Sequence, residues 1–281
     1  MRTKISIIAL LPVIVFLAFK NNNDPKPAKI LLMMYDSIKN VRTVHLRVMS
    51  IERIENKFST AASEIKVQSR PRKVYFRNKD KKLEVLFDSE ISKYQAFVKV
   101  HKFPYLALNL DPTGNMMRKN QHYTINELGY EFIGKSIALT ISKDKDGINN
   151  FIYRGKHVKN GYSCFTLEYE NHTYAYVNYT VLEKETASSV SAKLCVNDYL
   201  LRNKNDLLND FGYLKKGIIL KVPTLYCKKA ILFIDDKLLL PVAISLFDDA
   251  GLFESYEYSN VEINKPFQHD EFTKGFKGYG F

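Results

Sequence analysis

The feature that most constrains this chain is a run of alternating apolar and polar residues between positions 41 and 110. Successive side chains of a β-strand point to opposite faces, so a period of two indicates strands that bury one face. Turns rich in Asn, Lys and Asp separate the segments at short intervals, which is typical of antiparallel sheets. The clearest segments are 44–48, 65–67, 74–76, 83–87 and 96–100.

Composition agrees with a chain built mainly of strands. The 281 residues include 18 Tyr and 18 Phe but only 12 Gly, which favours pleated structure over glycine-rich nucleotide loops. Hydrophobic residues make up 46% and charged residues 26%, near the globular average, so wholesale disorder is excluded. A polytopic membrane protein is also excluded, because the sequence has a single apolar run, near the N-terminus, that could meet a membrane.

The remaining segments alternate between helix and strand. Pro27 and apolar residues at helical spacing predict a helix over 27–40. Residues 116–134 are predicted to be helical, and 137–141 to return to strand. Further strands are predicted at 151–153, 162–169, 174–181, 230–234, 241–247 and 252–261, and two short helices within 186–213.

The first twenty residues have the pattern of an export signal. Arg2 and Lys4 precede fifteen uncharged, mostly apolar residues, and a polar, proline-containing linker follows Lys20. The apolar run is short for a bilayer span, so a cleaved signal peptide and an uncleaved N-terminal anchor both remain open. Either one predicts an exported protein of the periplasm or cell envelope, and the uncleaved form would contact the inner membrane.

Three cysteines, Cys164, Cys195 and Cys227, are too few and too widely spaced for a disulfide framework or a Cys-x-x-Cys metal site. Three buried thiols are the preferred interpretation. A single bridge, for example between Cys195 and Cys227, remains open in an oxidising compartment.

Residues 179–223 combine a strand, two short helices and a second strand. Thr186 and Asn197 are suited to cap the two helices, and Gly217 follows a Lys-Lys turn before Ile218. The segment resembles the LysM (lysin motif) domain, with matches at Tyr179, Val181, Thr186, Val190, Ala192, Asn205, Gly217, Leu220, Val222 and Pro223. It departs from that motif at Lys184-Glu185, where Gly-Asp is usual, and at Ala187, Lys216 and Ile218.

The lysin-motif resemblance implies binding of N-acetylglucosamine glycans, above all peptidoglycan. The sugar would lie between the first strand–helix loop and the second helix–strand loop, and the residues expected to contact it are Glu185, Thr186, Ala187, Asn203, Asn205 and Leu207. Two alternatives stay open. Asn203 and Asn205 are also common turn residues, and a degenerate segment could be kept for structure alone.

The surrounding segments resemble an uncharacterised exported bacterial family with the fold of LolA, the periplasmic lipoprotein carrier. The residues that carry this resemblance lie at 103–106, 109–112, 117–122, 240–242, 248–258 and 264. It implies a curved antiparallel half-barrel covered by helices, whose concave apolar face accepts acyl chains. Candidate cavity residues are Val48, Val74, Phe76, Phe97 and Val100; the alternative is that these side chains fill the protein's own core.

No catalytic residue, metal site or cofactor is predicted. His269-Asp270-Glu271 lie on consecutive positions, which converge poorly in a strand. The Asp pairs 235–236 and 248–249 are better explained as hairpin turns. His122 lies near Arg118 and Tyr123, but no nucleophile motif accompanies it. The formal charge of +12 is diffuse, although eight Lys and Arg residues cluster over 66–82. Export makes nucleic acid an improbable partner of this cluster. Anionic lipid headgroups or wall polymers, or a merely solvated strand edge, stay open.

Together these observations predict an α+β protein: an N-terminal signal or anchor at 1–20, a LolA-like half-barrel at 28–177 and 226–281, and a LysM-like insert at 178–224. The main functional prediction is a non-enzymatic envelope protein that binds peptidoglycan through the insert. The alternative is a periplasmic carrier of lipid or lipoprotein acyl chains in which the insert is purely structural.

Overall fold

The computed structural model describes residues 24–281, so the predicted signal or anchor at 1–20 lies outside the described residues. Within these residues, the five α-helices are α1 (Pro27–Asn40), α2 (Asn115–Arg118), α3 (Tyr130–Lys143), α4 (Ala187–Leu194) and α5 (Asp198–Lys204). The strands are β1 (Thr43–Ile54), β2 (Lys57–Gln68), β3 (Lys73–Asn78), β4 (Leu83–Asp88), β5 (Ala96–Val100), β6 (Ala107–Leu110), β7 (Phe151–Lys159), β8 (Tyr162–Glu170), β9 (Tyr176–Thr180), β10 (Ile219–Pro223), β11 (Lys229–Asp235), β12 (Pro241–Asp248) and β13 (Gly251–Ile263).

Eleven of these strands form one antiparallel sheet in the order β6-β5-β4-β3-β2-β1-β13-β12-β11-β8-β7. Its long central hairpin, β1 and β2, places Val48 opposite Ser63. The two edge strands, β6 and β7, each pair on one side within the described part of the chain, so the sheet does not close on itself.

The main sheet is strongly curved. Seven strand spacings of about 4.8 Å separate β6 from β12, roughly 34 Å along a flat sheet. Leu108 of β6 and Ile244 of β12 nevertheless line the same cavity. The predicted curved antiparallel sheet with covering helices is therefore confirmed.

Helices α1 and α3 cover the inner face of the main sheet. Helix α1 buries Ile30, Leu31 and Met34. It lies close to α3 at Gly134, where an added Cβ would be 3.2 Å from Cγ2 of Ile38. The Tyr35 hydroxyl donates a hydrogen bond of 2.8 Å to the Gly134 carbonyl at this crossing. Gly134 thus allows the two helices to pack as one layer.

The C-terminal tail, residues 264–281, covers the outer face of β2–β5. Its aromatic residues pack on Tyr75, Leu86 and Phe97. The rings of Tyr75 and Tyr279 are stacked with centroids 3.7 Å apart. Beside them, Nζ of Lys66 lies 2.6 Å from Oε1 of Glu271. This part of the sheet is therefore covered on both faces.

The insert has the predicted order of strand, helix, helix and strand. Strands β9 and β10 pair antiparallel, with Tyr179 opposite Leu220, and α4 and α5 lie between them in the chain. The Thr186 and Asn197 side chains cap the two helices. A separate small core fills the insert, with Val181, Val190, Ala187, Val196, Leu201, Leu214, Leu220 and Val222 as its buried members.

One predicted strand is wrong. Residues 137–141 lie in α3, where Ile137 and Ile141 fall on the same side of the helix. A five-residue apolar run does not distinguish a buried strand from a helix, and here the longer segment from Tyr130 continues through it. The helix predicted over 116–134 is correspondingly interrupted, because 119–129 lie outside α2 and α3.

All three cysteines are free thiols, with Cys164 and Cys227 buried and Cys195 partly exposed. Among residues 24–281, no helix is both long and apolar enough to cross a bilayer.

Candidate functional site

A cavity of about 410 Å³ lies between the inner face of the main sheet and helix α3. Its walls follow the alternation of the strands, because every second residue faces inward. The central hairpin contributes Leu46, Val48, Ser50 and Glu52 from β1 and Ser59, Ala61, Ser63 and Ile65 from β2. Helix α3 closes the opposite side with Ile133, Ile137 and Thr140, which recur at helical spacing.

The cavity opens beside the β5–β6 hairpin. Lys81, Leu106 and Met116 line the cavity and are also exposed to solvent. Aliphatic side chains of β4, β5 and β6 continue from this mouth into the interior: Leu83, Val85, Val98, Val100, Leu108 and Leu110. The lining is thus apolar from the mouth inward along these strands.

The five predicted cavity residues fall into three groups. Val48, Phe76 and Val100 line the cavity. Val74 is fully buried in the main core but does not line the cavity. Phe97 is a correction, because it faces the opposite side of the sheet and packs beneath Phe281 of the C-terminal tail. Since strand side chains alternate, Phe97 and Val100 of β5 cannot share a face.

A buried polar cluster forms one part of the cavity wall. The Tyr123 hydroxyl donates to Glu254, and the Tyr226 hydroxyl donates to the Tyr123 oxygen over 2.8 Å. The Tyr256 hydroxyl donates to Oε1 of Glu52 over 2.6 Å. Burial raises the pKa of Tyr123, Tyr226 and Tyr256 well above the usual phenol value, so all three remain protonated donors. All three tyrosines line the cavity, and their hydroxyls already have hydrogen-bond partners within the cluster.

His122 completes this cluster behind the cavity wall. Its Nδ1 lies 2.6 Å from Oε2 of Glu254, and its Nε2 lies 3.2 Å from the Arg53 carbonyl oxygen. Burial alone would lower the pKa of His122, but the hydrogen bond and charge of Glu254 outweigh it, and the pKa is raised. Both ring nitrogens face acceptors, so the imidazolium form, with two N–H donors, satisfies both contacts.

The insert contacts the main sheet at this cluster. The His122 ring is stacked between Tyr199 of α5 and Phe253 of β13, at centroid distances of 4.7 and 4.3 Å. Nδ2 of Asn197 donates to the Tyr226 hydroxyl over 3.2 Å. Arg118 forms an ion pair with Asp198 of α5. A second cleft of about 680 Å³ lies between the insert and α3 and shares Tyr123 and Tyr226 with the cavity wall.

Sequence reasoning missed most of this cluster. Tyr226, Glu52 and Tyr256 were not among the candidate residues, although Glu254 and Tyr256 stand in a segment of clear alternation. That alternation places both side chains on the same face of β13 and was the available signal. Nothing local in the sequence connects them with His122, which lies 132 positions away from Glu254.

The predicted glycan-contacting residues mostly take part in the insert's own structure. The Glu185 carboxylate accepts hydrogen bonds from the Tyr179 hydroxyl, the Leu182 N–H and the Lys193 amine. The Asn205 side chain bonds both the N–H and the carbonyl of Lys221. Thr186 caps α4, Ala187 is buried in the insert core, and Leu207 packs against that core. Asn203 is partly exposed at the end of α5.

The other carboxylate clusters have structural roles. Asp235 and Asp248 accept backbone N–H groups within turns, and Asp248 also pairs with Arg53. Glu271 pairs with Lys66. Within residues 24–281, no group of three or more His, Cys, Asp or Glu residues is arranged to hold a metal ion. The arrangement around the cavity can bind an apolar ligand by burial, with a hydrogen-bonded aromatic wall on one side.

One family model matches this chain. The family model described as a protein of unknown function (DUF1571) matches residues 44–186. No curated protein is similar enough in sequence to match. These comparisons provide no support for the lysin motif predicted at 179–223.

Several solved structures have a similar backbone fold. LprF from Mycobacterium bovis has 12% identity and a TM-score of 0.41, over 85% of this chain and 93% of that chain. The lipoprotein LppX from Mycobacterium tuberculosis has 16% identity and a TM-score of 0.36, over 87% and 98%. A LolA superfamily protein from Nitrosomonas europaea has 7% identity and a TM-score of 0.33, over 89% and 99%.

Proposed function

The chain belongs to the DUF1571 family of proteins of unknown function, and we propose that it carries a lipid or a lipoprotein acyl chain in the cavity on the inner face of its main sheet. No chemical step is assigned to it. The hydrogen-bonded cluster of His122, Glu254 and the three tyrosines supports the cavity wall in this proposal, and the ligand is released unchanged.

The cavity is the observation that supports the proposal. Its volume of about 410 Å³ lies within the roughly 300–1,000 Å³ common for ligand sites. Its walls are aliphatic and aromatic along most of their length, and each methylene moved from water into such a site contributes about 0.8 kcal/mol. The side chains of α1 and of the inner face of the main sheet pack together as one core. The protein therefore needs no ligand to complete that core.

A pair of neighbouring alanines gives a sharp test. Ala61 lines the cavity, whereas Ala62 is opposite the exposed Met49 and faces outward. We expect Ala61→Phe to fill the cavity and weaken binding of the fluorescent fatty acid cis-parinaric acid about tenfold or more, since several methylenes lose their site. Ala62→Phe adds the same ring on the other face and should leave binding unchanged. Equal binding by the wild type and both variants would contradict acyl-chain carriage.

A second candidate function is binding of N-acetylglucosamine glycans by the insert. The paired strands β9 and β10 around two short helices, with a core of their own, favour it. We expect the full chain to be retained on insoluble peptidoglycan and released by chitin oligosaccharides. Asn203→Ala should reduce retention, and Asn209→Ala, a change at an exposed position of the same insert, should not. Absence of retention by the wild-type chain would remove this candidate.

Both functions belong outside the cytoplasm, as the pattern of residues 1–20 predicts. Export of the chain remains a prediction from the sequence, because these residues lie outside the described part.

A further inference from the structure

Four large apolar side chains project into solvent at the cavity mouth. Phe103 is 83% exposed, Tyr105 65%, Leu106 41% and Met116 69%. The first three lie in the loop between β5 and β6, and Met116 lies in α2. Exposed apolar residues that are grouped in this way commonly indicate an interaction site.

The loop holds these side chains outward by its own geometry. The Tyr105 N–H donates to the Lys102 carbonyl over 2.6 Å, which makes a tight turn at the tip. The rings of Phe103 and Tyr105 contact each other edge to face, with centroids 6.5 Å apart. Leu106 and Met116 also line the cavity, so the exposed apolar surface is continuous with its interior.

Lysines surround this apolar tip. Lys79, Lys81 and Lys82 lie in the neighbouring β3–β4 turn, which is joined to the loop by a 2.7 Å hydrogen bond from the His101 N–H to the Lys82 carbonyl. Lys102 stands beside Phe103. None of these four lysines forms an ion pair with another described residue. The one acidic residue of the turn, Asp80, accepts the Ala62 N–H over 2.9 Å.

We propose that this mouth surface, formed by Phe103, Tyr105, Leu106 and Met116 with the four lysines, docks onto a lipid bilayer that carries anionic headgroups. Aromatic and aliphatic side chains enter the boundary between headgroups and acyl chains, while lysines contact anionic lipid phosphates. The core of a protein–protein interface is instead depleted in lysine. The inference rests on the proposed function in one respect, because docking here would present the open cavity to the membrane's acyl chains.

Vesicle sedimentation tests the docking directly. The probes are vesicles of phosphatidylcholine alone and of phosphatidylcholine mixed with an equal amount of phosphatidylglycerol. We expect the wild-type chain to sediment with the mixed vesicles, more weakly at high salt, and little with phosphatidylcholine alone. The double variant Phe103→Ser, Tyr105→Ser and the triple variant Lys79→Glu, Lys81→Glu, Lys82→Glu should each weaken vesicle binding about tenfold or more.

The opposite end of the same strands supplies the matched control. Ile91 and Tyr94, in the loop between β4 and β5, are 81% and 78% exposed and lie away from the mouth. The double variant Ile91→Ser, Tyr94→Ser should bind vesicles like the wild type. Equal loss in both double variants, or no loss in the Phe103, Tyr105 variant, would overturn the docking proposal.

Binding of cis-parinaric acid in vesicle-free solution separates the two proposals. The Phe103, Tyr105 variant keeps the cavity lining, so it should bind the fatty acid normally while failing to sediment. A wild-type chain that binds vesicles but not the fatty acid would contradict acyl-chain carriage and leave the docking surface supported. A wild-type chain that binds the fatty acid but no vesicles would contradict the docking proposal and leave acyl-chain carriage supported. A protein partner at the mouth would then be the alternative.

Discussion

The buried side chain of His122 stabilises the region where the insert meets the main sheet. Its ring is fully buried, and its partner Glu254 is equally inaccessible. The hydrogen bond and charge of Glu254 raise the pKa of His122 above its usual value despite burial. A histidine whose pKa is higher in the folded than in the unfolded state stabilises the fold below the unfolded value, about 6.5, and this contribution is lost as pH rises through the folded pKa.

His122→Ala should therefore lower the free energy of unfolding by about 3 kcal/mol at pH 6, because it leaves the Glu254 carboxylate buried without its cationic partner. The difference between wild type and variant should shrink as the pH is raised through the folded pKa of His122. Urea denaturation at a series of pH values measures both effects. His172→Ala, at an exposed ring, is the control and should leave stability unchanged; a pH-independent difference would contradict the charged pair.

The individual residues that line the cavity could be predicted from the sequence only in part. Alternation identifies which residues share a face, and Val48, Phe76 and Val100 lie on the cavity wall. Alternation separates Phe97 and Lys99 from Val98 and Val100 on β5, but it does not say whether the Phe97 face is solvated or covered. Phe97 faces outward because the C-terminal tail covers the outer face there, and no pattern in the sequence indicates that cover.

The C-terminal tail buries the outer face of the strands that it covers, a face that alternation alone would assign to solvent. Its aromatic residues stand at 267, 272, 276, 279 and 281, and the tail forms neither a helix nor a strand. Lys66 is buried under it, paired with Glu271 and within 5.7 Å of the Tyr75 ring centre. The tail thus neutralises a lysine that alternation alone would have placed in solvent.

We expect Glu271→Ala to destabilise the protein by about 3 kcal/mol, because it leaves the Lys66 ammonium buried and unpaired. The double variant Lys66→Met, Glu271→Leu removes both charges and should recover most of that loss. Thermal unfolding of the two variants beside the wild type provides the measurement. If the double variant were as unstable as the single one, the ion pair would not be the reason.

The elements themselves were predicted best where two local signals agree. Helix α1 was predicted over 27–40, which are its observed bounds, because Pro27 at its start and the apolar spacing point to the same segment. The segment 137–141 carried a single signal, a short apolar run, and was assigned to the wrong class. Its true role in α3 depends on packing across the cavity, which is a tertiary contact.

At the scale of the whole molecule, the insert is joined to the main sheet through buried contacts. Tyr199 covers His122, Asn197 bonds Tyr226, and the Tyr199 hydroxyl accepts the Glu55 N–H over 2.9 Å. These contacts come from Tyr199 of α5 and from its N-cap residue Asn197, whereas the predicted glycan contacts lie at 185–187 and 203–207. The insert can therefore stabilise the main sheet whether or not it binds a sugar.

Replacing residues 181–218 by Asn-Gly tests this contribution. Thr180 and Ile219 are directly paired, so a two-residue turn can join them and keep β9 and β10 together. We expect the midpoint of thermal unfolding to fall by roughly 5 °C or more, because Tyr199 no longer covers the His122–Glu254 pair. Differential scanning calorimetry gives the measurement, and an unchanged midpoint would show that the insert is energetically independent.

The unpaired edges of the main sheet have a consequence for ligand choice. In a closed barrel, strand number and stagger fix the diameter, so the interior has one size. Here the row of strands in residues 24–281 ends at β6 and β7, so no closure of the sheet fixes the width of the interior. If the cavity carries acyl chains as proposed, we therefore expect weak discrimination among tails of different length and branching, with selectivity set by the membrane on which the mouth surface docks.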